Sequence, residues 1–125
     1  MSAQRAFLAF AGLFGATGVA LGAWAAHGLA AVIDPQGLAW VDTGLRYQLL
    51  HAAALLGLAA WLRQGGDRLL AAAGWLFAAG VLVFSGLLYA MALGAPRWLG
   101  AVVPLGGLSM IAGWLAVLLA ALKAR

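Results

Sequence analysis

The chain has 125 residues, of which 66% are hydrophobic and 8% are charged, and its formal net charge is +4. Soluble domains are roughly half apolar and about a quarter charged, so this chain has too few polar side chains to cover a surface in water. The composition therefore predicts a protein that lipid surrounds. The absence of cysteine excludes disulfides, thiolate metal sites and cysteine nucleophiles. No basic run is interleaved with aromatic residues, so nucleic acid is not an expected partner.

Four apolar segments follow one another along the chain, at residues 6–26, 44–62, 69–93 and 98–122. Each is close to the ~20 residues that an α-helix needs to cross a bilayer. The sequence therefore predicts an all-α fold, a bundle of four transmembrane helices that forms a single integral membrane domain over residues 1–125. The first segment is longer than the ~7–15 apolar residues of a signal peptide, so we expect it to be retained as a helix.

The first segment carries small residues on one face and bulky residues on the other. On this face lie Ala11, Gly15, Gly18, Gly22 and Ala26, within about 80° of one another at ~100° per residue. Small residues let helices associate closely in lipid. We therefore expect this face to contact protein, either within the bundle or between copies of the chain. The alternative is that glycine is merely common, since the chain has 18. The glycines assigned to helix packing are Gly15, Gly18, Gly22, Gly74, Gly106 and Gly113.

The connection between the first two segments, residues 27–43, is the longest and the most polar. Asp34-Pro35-Gln36-Gly37 indicates a turn, and the amphipathic residues after it predict a stretch that lies at the membrane interface. Asp42 or Thr43 is the expected N-cap of the second helix. Near the start of the fourth segment, Pro104 either ends a short irregular stretch or kinks the helix.

The distribution of Lys and Arg predicts the orientation in the membrane. With four spans, both termini and the loop between the second and third segments share one side, which holds five of the seven Lys and Arg residues. Cytoplasmic loops carry the excess of positive charge. We therefore expect a multi-pass protein of the cytoplasmic membrane with both termini in the cytoplasm.

Polar residues inside the predicted spans are few, so each is a candidate for a functional role. The polar residues near the start of the second segment share one face, those of the third lie one turn apart, and a histidine ends the first. We expect them to form a single cluster in the outer half of the bundle, with Ser85 or Tyr89 as the partner of His51. The cluster comprises His27, Tyr47, Gln48, His51, Ser85 and Tyr89.

Four short motifs, in this order, resemble the signatures of a known family. They are Gly22-Ala23-Trp24-Ala25-Ala26-His27-Gly28-Leu29; Trp40 with Thr43-Gly44 and Tyr47-Gln48-x-x-His51; Phe84-Ser85-Gly86-x-x-Tyr89; and Pro104-Leu105-Gly106-Gly107 with Gly113-Trp114. Over nearly its whole length the chain resembles the family called domain of unknown function 423, which includes proteins similar to transmembrane protein 256. The resemblance implies a small multi-span membrane protein of bacteria and no established activity.

Three interpretations of the polar cluster stay open. In the favoured one, the polar groups satisfy each other, and the protein is a structural or accessory subunit, or an assembly partner, of a larger membrane complex. In the second, the cluster binds a quinone, a lipid headgroup, an ion, or haem through its two histidines. The third, catalysis, is disfavoured because no Ser-His-acid set or intramembrane carboxylate pair can be placed. We expect no catalytic residue, metal or cofactor. The expected partners are the lipid bilayer, other membrane proteins and further copies of the chain.

Overall fold

The computed structural model describes residues 1–124, and within them it contains four long α-helices. These are α1 (Ala3–His27), α2 (Pro35–Leu62), α3 (Arg68–Ala92) and α4 (Val103–Lys123). Each is long and apolar enough to cross a membrane, so the predicted all-α fold of four transmembrane helices is confirmed. Two short 3₁₀ helices, Leu29–Ala31 and Arg97–Ala101, precede α2 and α4.

The helices pack mainly as consecutive pairs. α1 packs against α2, α2 against α3 and α3 against α4, while α1 touches α3 at only a few positions. Within residues 1–124, no Cα atom of α2 lies within 8 Å of a Cα atom of α4. These two helices therefore flank an open cleft, and α3 forms its floor.

α2 begins earlier than expected, at Pro35. Asp34 caps the helix, because its Oδ1 accepts a hydrogen bond of 2.7 Å from the backbone N–H of Gly37. A proline in the first turn loses no helical hydrogen bond, since the N–H groups there have no intrahelical acceptor. The predicted interfacial connection over residues 27–43 was therefore wrong in its second half, which is helical.

Neither predicted N-cap, Asp42 or Thr43, begins a helix. Asp42 lies inside α2 and pairs with Arg46 one turn later, with an Oδ2–Nη2 distance of 2.9 Å and both side chains mostly exposed. α2 has 28 residues, which corresponds to ~42 Å, whereas the hydrocarbon core of a bilayer is ~30 Å thick. We therefore place this ion pair toward the membrane surface.

The fourth helix follows an irregular stretch and is not kinked by its proline. The 3₁₀ helix Arg97–Ala101 ends just before α4, and Pro104 lies in the first turn of α4. Before this stretch, Gly94 has a φ of 111°, a left-handed conformation that favours glycine. The chain therefore turns sharply after α3.

Four of the six predicted packing glycines lie where two helices are in close contact. They are Gly18, Gly74, Gly106 and Gly113. A Cβ atom on Gly74 would overlap the ring of Phe7, and α1 therefore packs on α3 through this ring. A Cβ atom on Gly113 would lie 2.6 Å from the ring of Phe77, where α4 packs on α3.

A close backbone approach between α3 and α4 involves two glycines. A Cβ atom on Gly80 would lie 2.9 Å from the carbonyl oxygen of Gly106, and a Cβ atom on Gly106 would lie 2.9 Å from that of Gly80. Gly80 was not among the predicted packing residues. The small residues let the two backbones come close here, beside the side chains of Met110 and Phe84, as is common where membrane helices pack.

Two predicted packing glycines are not closely packed. A Cβ atom on Gly22 would have only Leu45 within reach, at 4.0 Å, and one on Gly15 would have no atom within 4 Å. Gly15 instead lines an open groove between α1 and α2. The small face of α1 is thus partly used inside the bundle and partly left on its surface.

Candidate functional site

The amide of Gln48 joins three helices. Its Nε2 donates hydrogen bonds to the carbonyl oxygen of Phe14 and to the hydroxyl of Thr17, both at 2.9 Å. Its Oε1 accepts a hydrogen bond of 2.7 Å from the hydroxyl of Tyr89. Both hydrogens and the oxygen of this buried amide are therefore used, which avoids the large cost of an unpaired amide in an apolar surrounding.

Gly18 allows this amide to reach α1. A Cβ atom at this position would lie 2.6 Å from Cδ2 of Leu49 and 3.2 Å from Nε2 of Gln48, so any side chain would push α2 away. The hydroxyl of Thr17 donates to the carbonyl of Leu13 at 2.7 Å. Its oxygen is then left to accept from Gln48.

Ser85 and Tyr89 hold the backbone of α2 from one face of α3. Ser85 Oγ donates a hydrogen bond of 2.7 Å to the carbonyl oxygen of Gly44. The ring of Tyr89 lies over the same glycine, because a Cβ atom there would be 2.6 Å from Cε1 of Tyr89. Ser85 is fully buried, and its hydroxyl proton is used inside the bundle.

His51 belongs to a second network, in which its partner is Trp114 of α4. The Nε2 atom of His51 accepts a hydrogen bond of 3.0 Å from the indole N–H of Trp114. An indole nitrogen can only donate, so Nε2 is unprotonated and Nδ1 carries the proton. Nδ1 lies 2.7 Å from the carbonyl oxygen of Tyr47 and donates to it. Both nitrogens of a neutral imidazole are thus occupied.

The expected partner of His51, Ser85 or Tyr89, was wrong because the start of α2 was misplaced. His51 lies sixteen residues into α2, about 24 Å from its start. At that level it packs against Phe77 of α3, with ring centroids 5.0 Å apart. Tyr89 lies twelve residues farther along α3, about 18 Å away along the helix axis. The predicted single cluster is therefore two networks, on neighbouring faces of α2.

The rings of His51, Trp114 and Phe77 pack together at this hydrogen bond. Phe77 lies 4.7 Å from Trp114, and Trp114 lies 5.8 Å from His51, both measured between ring centroids. The missing Cβ of Gly113 lets Phe77 fit beneath α4. A tryptophan in the middle of an apolar segment needs a partner for its N–H, and this is the signal that could have identified Trp114.

The side chains of two predicted cluster members take no part in either hydrogen-bond network. The ring of Tyr47 packs on Phe84 at 4.9 Å, and the side chain is 42% exposed. Its hydroxyl takes no part in the hydrogen bonds described above, to which the residue contributes its carbonyl only. His27 is exposed at the end of α1 and is not part of either network.

The acidic side chains serve the ends and the surface of helices. Asp34 caps α2, and Asp67 caps α3 by accepting from the backbone N–H groups of Leu69 and Leu70 at 2.9 and 3.1 Å. Asp42 pairs with Arg46. Among the residues that the structure describes, no three histidine or acidic side chains are grouped as metal ligands would be.

The cleft between α2 and α4 has a volume of about 520 Å³. Leu70 and Phe77 of α3 form its floor, Trp114 closes one end, and Asp67 lies at the other. The rest of its lining is apolar, and Trp61 and Gly57 contribute the wall on α2. Trp114, which donates to His51, thus lies at the deep end of this cleft.

Four membrane-spanning helices with paired polar groups in their interior define a small polytopic membrane protein. The chain belongs to the family described as "Protein of unknown function (DUF423)", whose model matches residues 21–107, so the family resemblance is confirmed. It is 38% identical to a UPF0382 membrane protein of Haemophilus influenzae over 98% of both chains. It is 37% identical to the UPF0382 inner membrane protein YgdD of Escherichia coli, over 98% of this chain and 93% of the relative. Identity to the UPF0382 membrane protein YwdK of Bacillus subtilis is 35%, over 96% of this chain and 98% of the relative. No solved structure matches the chain.

Proposed function

We propose that this protein is a structural or accessory subunit, or an assembly partner, of a larger complex in the bacterial inner membrane, and that it is not an enzyme. The observation that carries this proposal is the complete pairing of the interior. Among residues 1–124, every buried side-chain nitrogen and oxygen has a hydrogen-bond partner. Intramembrane polar groups that act on a substrate must be free to reach it. Here they join helices instead.

The groove between α1 and α2 is the surface that suits a partner. It encloses about 320 Å³ and is lined by apolar and small residues only, which are Leu8, Ala11, Gly12, Gly15, Ala52, Ala53 and Leu56. A Cβ atom on Gly12 or Gly15 would meet no atom within 4 Å, so the backbone of α1 is accessible there. A transmembrane helix of another protein, or of a second copy of this chain, could approach it closely.

Replacement of Gly15 by leucine tests this proposal. The added side chain should fill the groove and release the partner, while the bundle itself stays folded because the site is open. Gly86→Leu is the matched control, since Gly86 is equally open but lies on α3. In blue native gels of membranes in mild detergent, Gly15→Leu should shift the protein to a smaller species and Gly86→Leu should not. Identical migration of both variants and the wild type would contradict the proposal.

Ligand binding at the polar cluster is the alternative, and the geometry supports it less. Axial ligation of haem iron by His51 would require a free ring nitrogen. Its Nε2 is bound to Trp114 and its Nδ1 to a backbone carbonyl, so a ligand would first have to break one of these bonds. An absorption spectrum of the protein purified in mild detergent distinguishes the two functions, because bound haem would give a Soret band.

We further propose that both termini lie in the cytoplasm. The side that carries the termini and the loop between α2 and α3 holds five of the seven Lys and Arg residues. The relative from Escherichia coli is named an inner membrane protein, which supports the same membrane for this chain. A C-terminal alkaline phosphatase fusion should be inactive and a green fluorescent protein fusion bright. The reverse pair of results would overturn the orientation.

A further inference from the structure

The cleft between α2 and α4 has the length of one bilayer leaflet. Its lining runs from Ala124 to Trp114 along the chain of α4, and from Asp67 to Phe77 along α3. Ten residues of helix rise ~15 Å, which is half of the ~30 Å hydrocarbon core of a bilayer. The cleft therefore extends from the ends of the helices, at the level of lipid headgroups, to the centre of the membrane. A lipid acyl chain covers the same depth.

The walls of the cleft suit hydrocarbon. Of its lining residues that the structure describes, Asp67 is the ionisable one, and its carboxylate already caps α3. Trp114 turns its N–H toward His51 and leaves carbon atoms facing the cleft. Apolar cavities do not hold water, and a concave wall of three helices makes more dispersion contacts with a chain than a convex surface does.

Three cationic residues adjoin the end of the cleft at the membrane surface. Arg63, Arg68 and Lys123 each lie within two residues of a residue that lines the cleft, and all three are exposed. The acidic side chain at this end is Asp67, whose carboxylate is bound to the backbone of α3. Lys and Arg near a membrane surface attract anionic headgroups. The three cations exceed the one carboxylate and favour an anionic headgroup over a zwitterionic one.

We propose that this cleft binds one acyl chain of an anionic phospholipid, whose headgroup lies against the cationic end formed by Arg63, Arg68 and Lys123. The site lies on the opposite side of α2 from the groove at Gly15 and does not depend on the proposed accessory role. A bound lipid fills the space that α2 and α4 leave open between them.

Filling the cleft tests the acyl-chain part of this proposal. Gly57 lines the cleft, and a Cβ atom there would meet no atom within 4 Å, so the side chain of Gly57→Phe starts in open space. In native mass spectrometry from mild detergent, the wild type should retain one phosphatidylglycerol, and Gly57→Phe should lose it. Ala121→Phe, which fills the cleft from α4, should do the same. Gly86→Phe is the control outside the cleft and should retain the lipid.

Removal of the cations tests the headgroup part. In titrations of delipidated protein, each of Arg63→Gln, Arg68→Gln and Lys123→Gln should weaken phosphatidylglycerol binding about fivefold and leave phosphatidylcholine binding unchanged. Arg5→Gln is the control, because Arg5 lies in the first turn of α1, at the same end of the bundle, and does not line the cleft. Equal wild-type affinity for both lipids would overturn the proposal, as would full lipid retention by both phenylalanine variants. A co-purifying polypeptide that Gly57→Phe releases would also overturn it, since the occupant would then be a protein.

Discussion

The hydrogen bond between Trp114 and His51 should be measurable as a coupling free energy between α4 and α2. Trp114→Phe keeps a ring on Phe77, 4.7 Å away in the native protein, and removes the N–H donor. His51→Phe keeps a ring of similar size and removes the acceptor. Each single change leaves the other polar group without its partner in an apolar surrounding. We therefore expect each to lower the free energy of unfolding by about 1–3 kcal/mol.

The structure sets the size of the coupling itself. Hydrogen bonds between transmembrane helices contribute about 0.6 kcal/mol on average and up to about 1.7 kcal/mol in double-mutant cycles. This bond has an ordinary length of 3.0 Å, and His51 is 1% exposed while Trp114 is 43% exposed. A bond with one fully buried partner and one half-buried partner should lie near the middle of that range. We expect a coupling of about 1 kcal/mol.

A double-mutant cycle in mixed micelles measures this value. The free energy of unfolding is determined for the wild type, Trp114→Phe, His51→Phe and the double variant. Ser109→Ala provides the control, because Ser109 donates a hydrogen bond of 2.8 Å to the carbonyl of Leu76 between α4 and α3, outside the aromatic group around His51. It should show no coupling to His51→Phe. A Trp114–His51 coupling below about 0.3 kcal/mol, the level found for independent sites, would refute the hydrogen bond.

Two further predictions concern the other helix contacts. Gln48→Leu should lower the free energy of unfolding by about 1–3 kcal/mol because it strands the Tyr89 hydroxyl, and Tyr89→Phe in the same background should recover part of the loss. The same unfolding titration checks both variants, and an unchanged midpoint for Gln48→Leu would contradict the network. Gly74→Leu should separate α1 from α3 and lower the melting temperature, because its side chain overlaps the ring of Phe7. Phe7→Ala should restore part of that loss, and its failure to do so would show that Gly74 acts elsewhere.

The number and type of the helices could be predicted from composition and apolar segments alone, but the start of α2 could not. Hydropathy detects the part of a helix that lies in hydrocarbon. The first turns of α2 carry the exposed Asp42, so the predicted apolar segment begins after it, at residue 44. Asp34-Pro35 is compatible with both a turn and a helix start, since both residue types favour either one. The capping hydrogen bond decides between them.

The residues of the polar networks could be predicted more readily than their partners. Rarity in an apolar segment was enough to select Gln48 and His51. Which residues pair depends on their depth in the membrane and on the rotation of each helix. The predicted second segment began at Gly44, nine residues after the true start of α2 at Pro35, and this error shifts the inferred depth of His51 by about 13 Å. A tryptophan in an apolar segment needs a partner for its N–H, but nothing in the sequence links Trp114 to His51, 63 positions away.

Glycines decide which backbone carbonyls a neighbouring helix can reach. The amide of Gln48 bonds to the carbonyl of Phe14, one turn before Gly18, and Ser85 bonds to the carbonyl of Gly44 itself. In both places a Cβ atom would lie within 3.2 Å of the incoming helix. Lipid offers no hydrogen bonds, so a buried polar side chain needs either a polar side chain or an exposed carbonyl as its partner. A glycine near an intramembrane polar residue on the adjoining helix therefore predicts a contact between the two helices. Such a contact gives the polar residue a hydrogen-bond partner, and no ligand is needed to explain its presence.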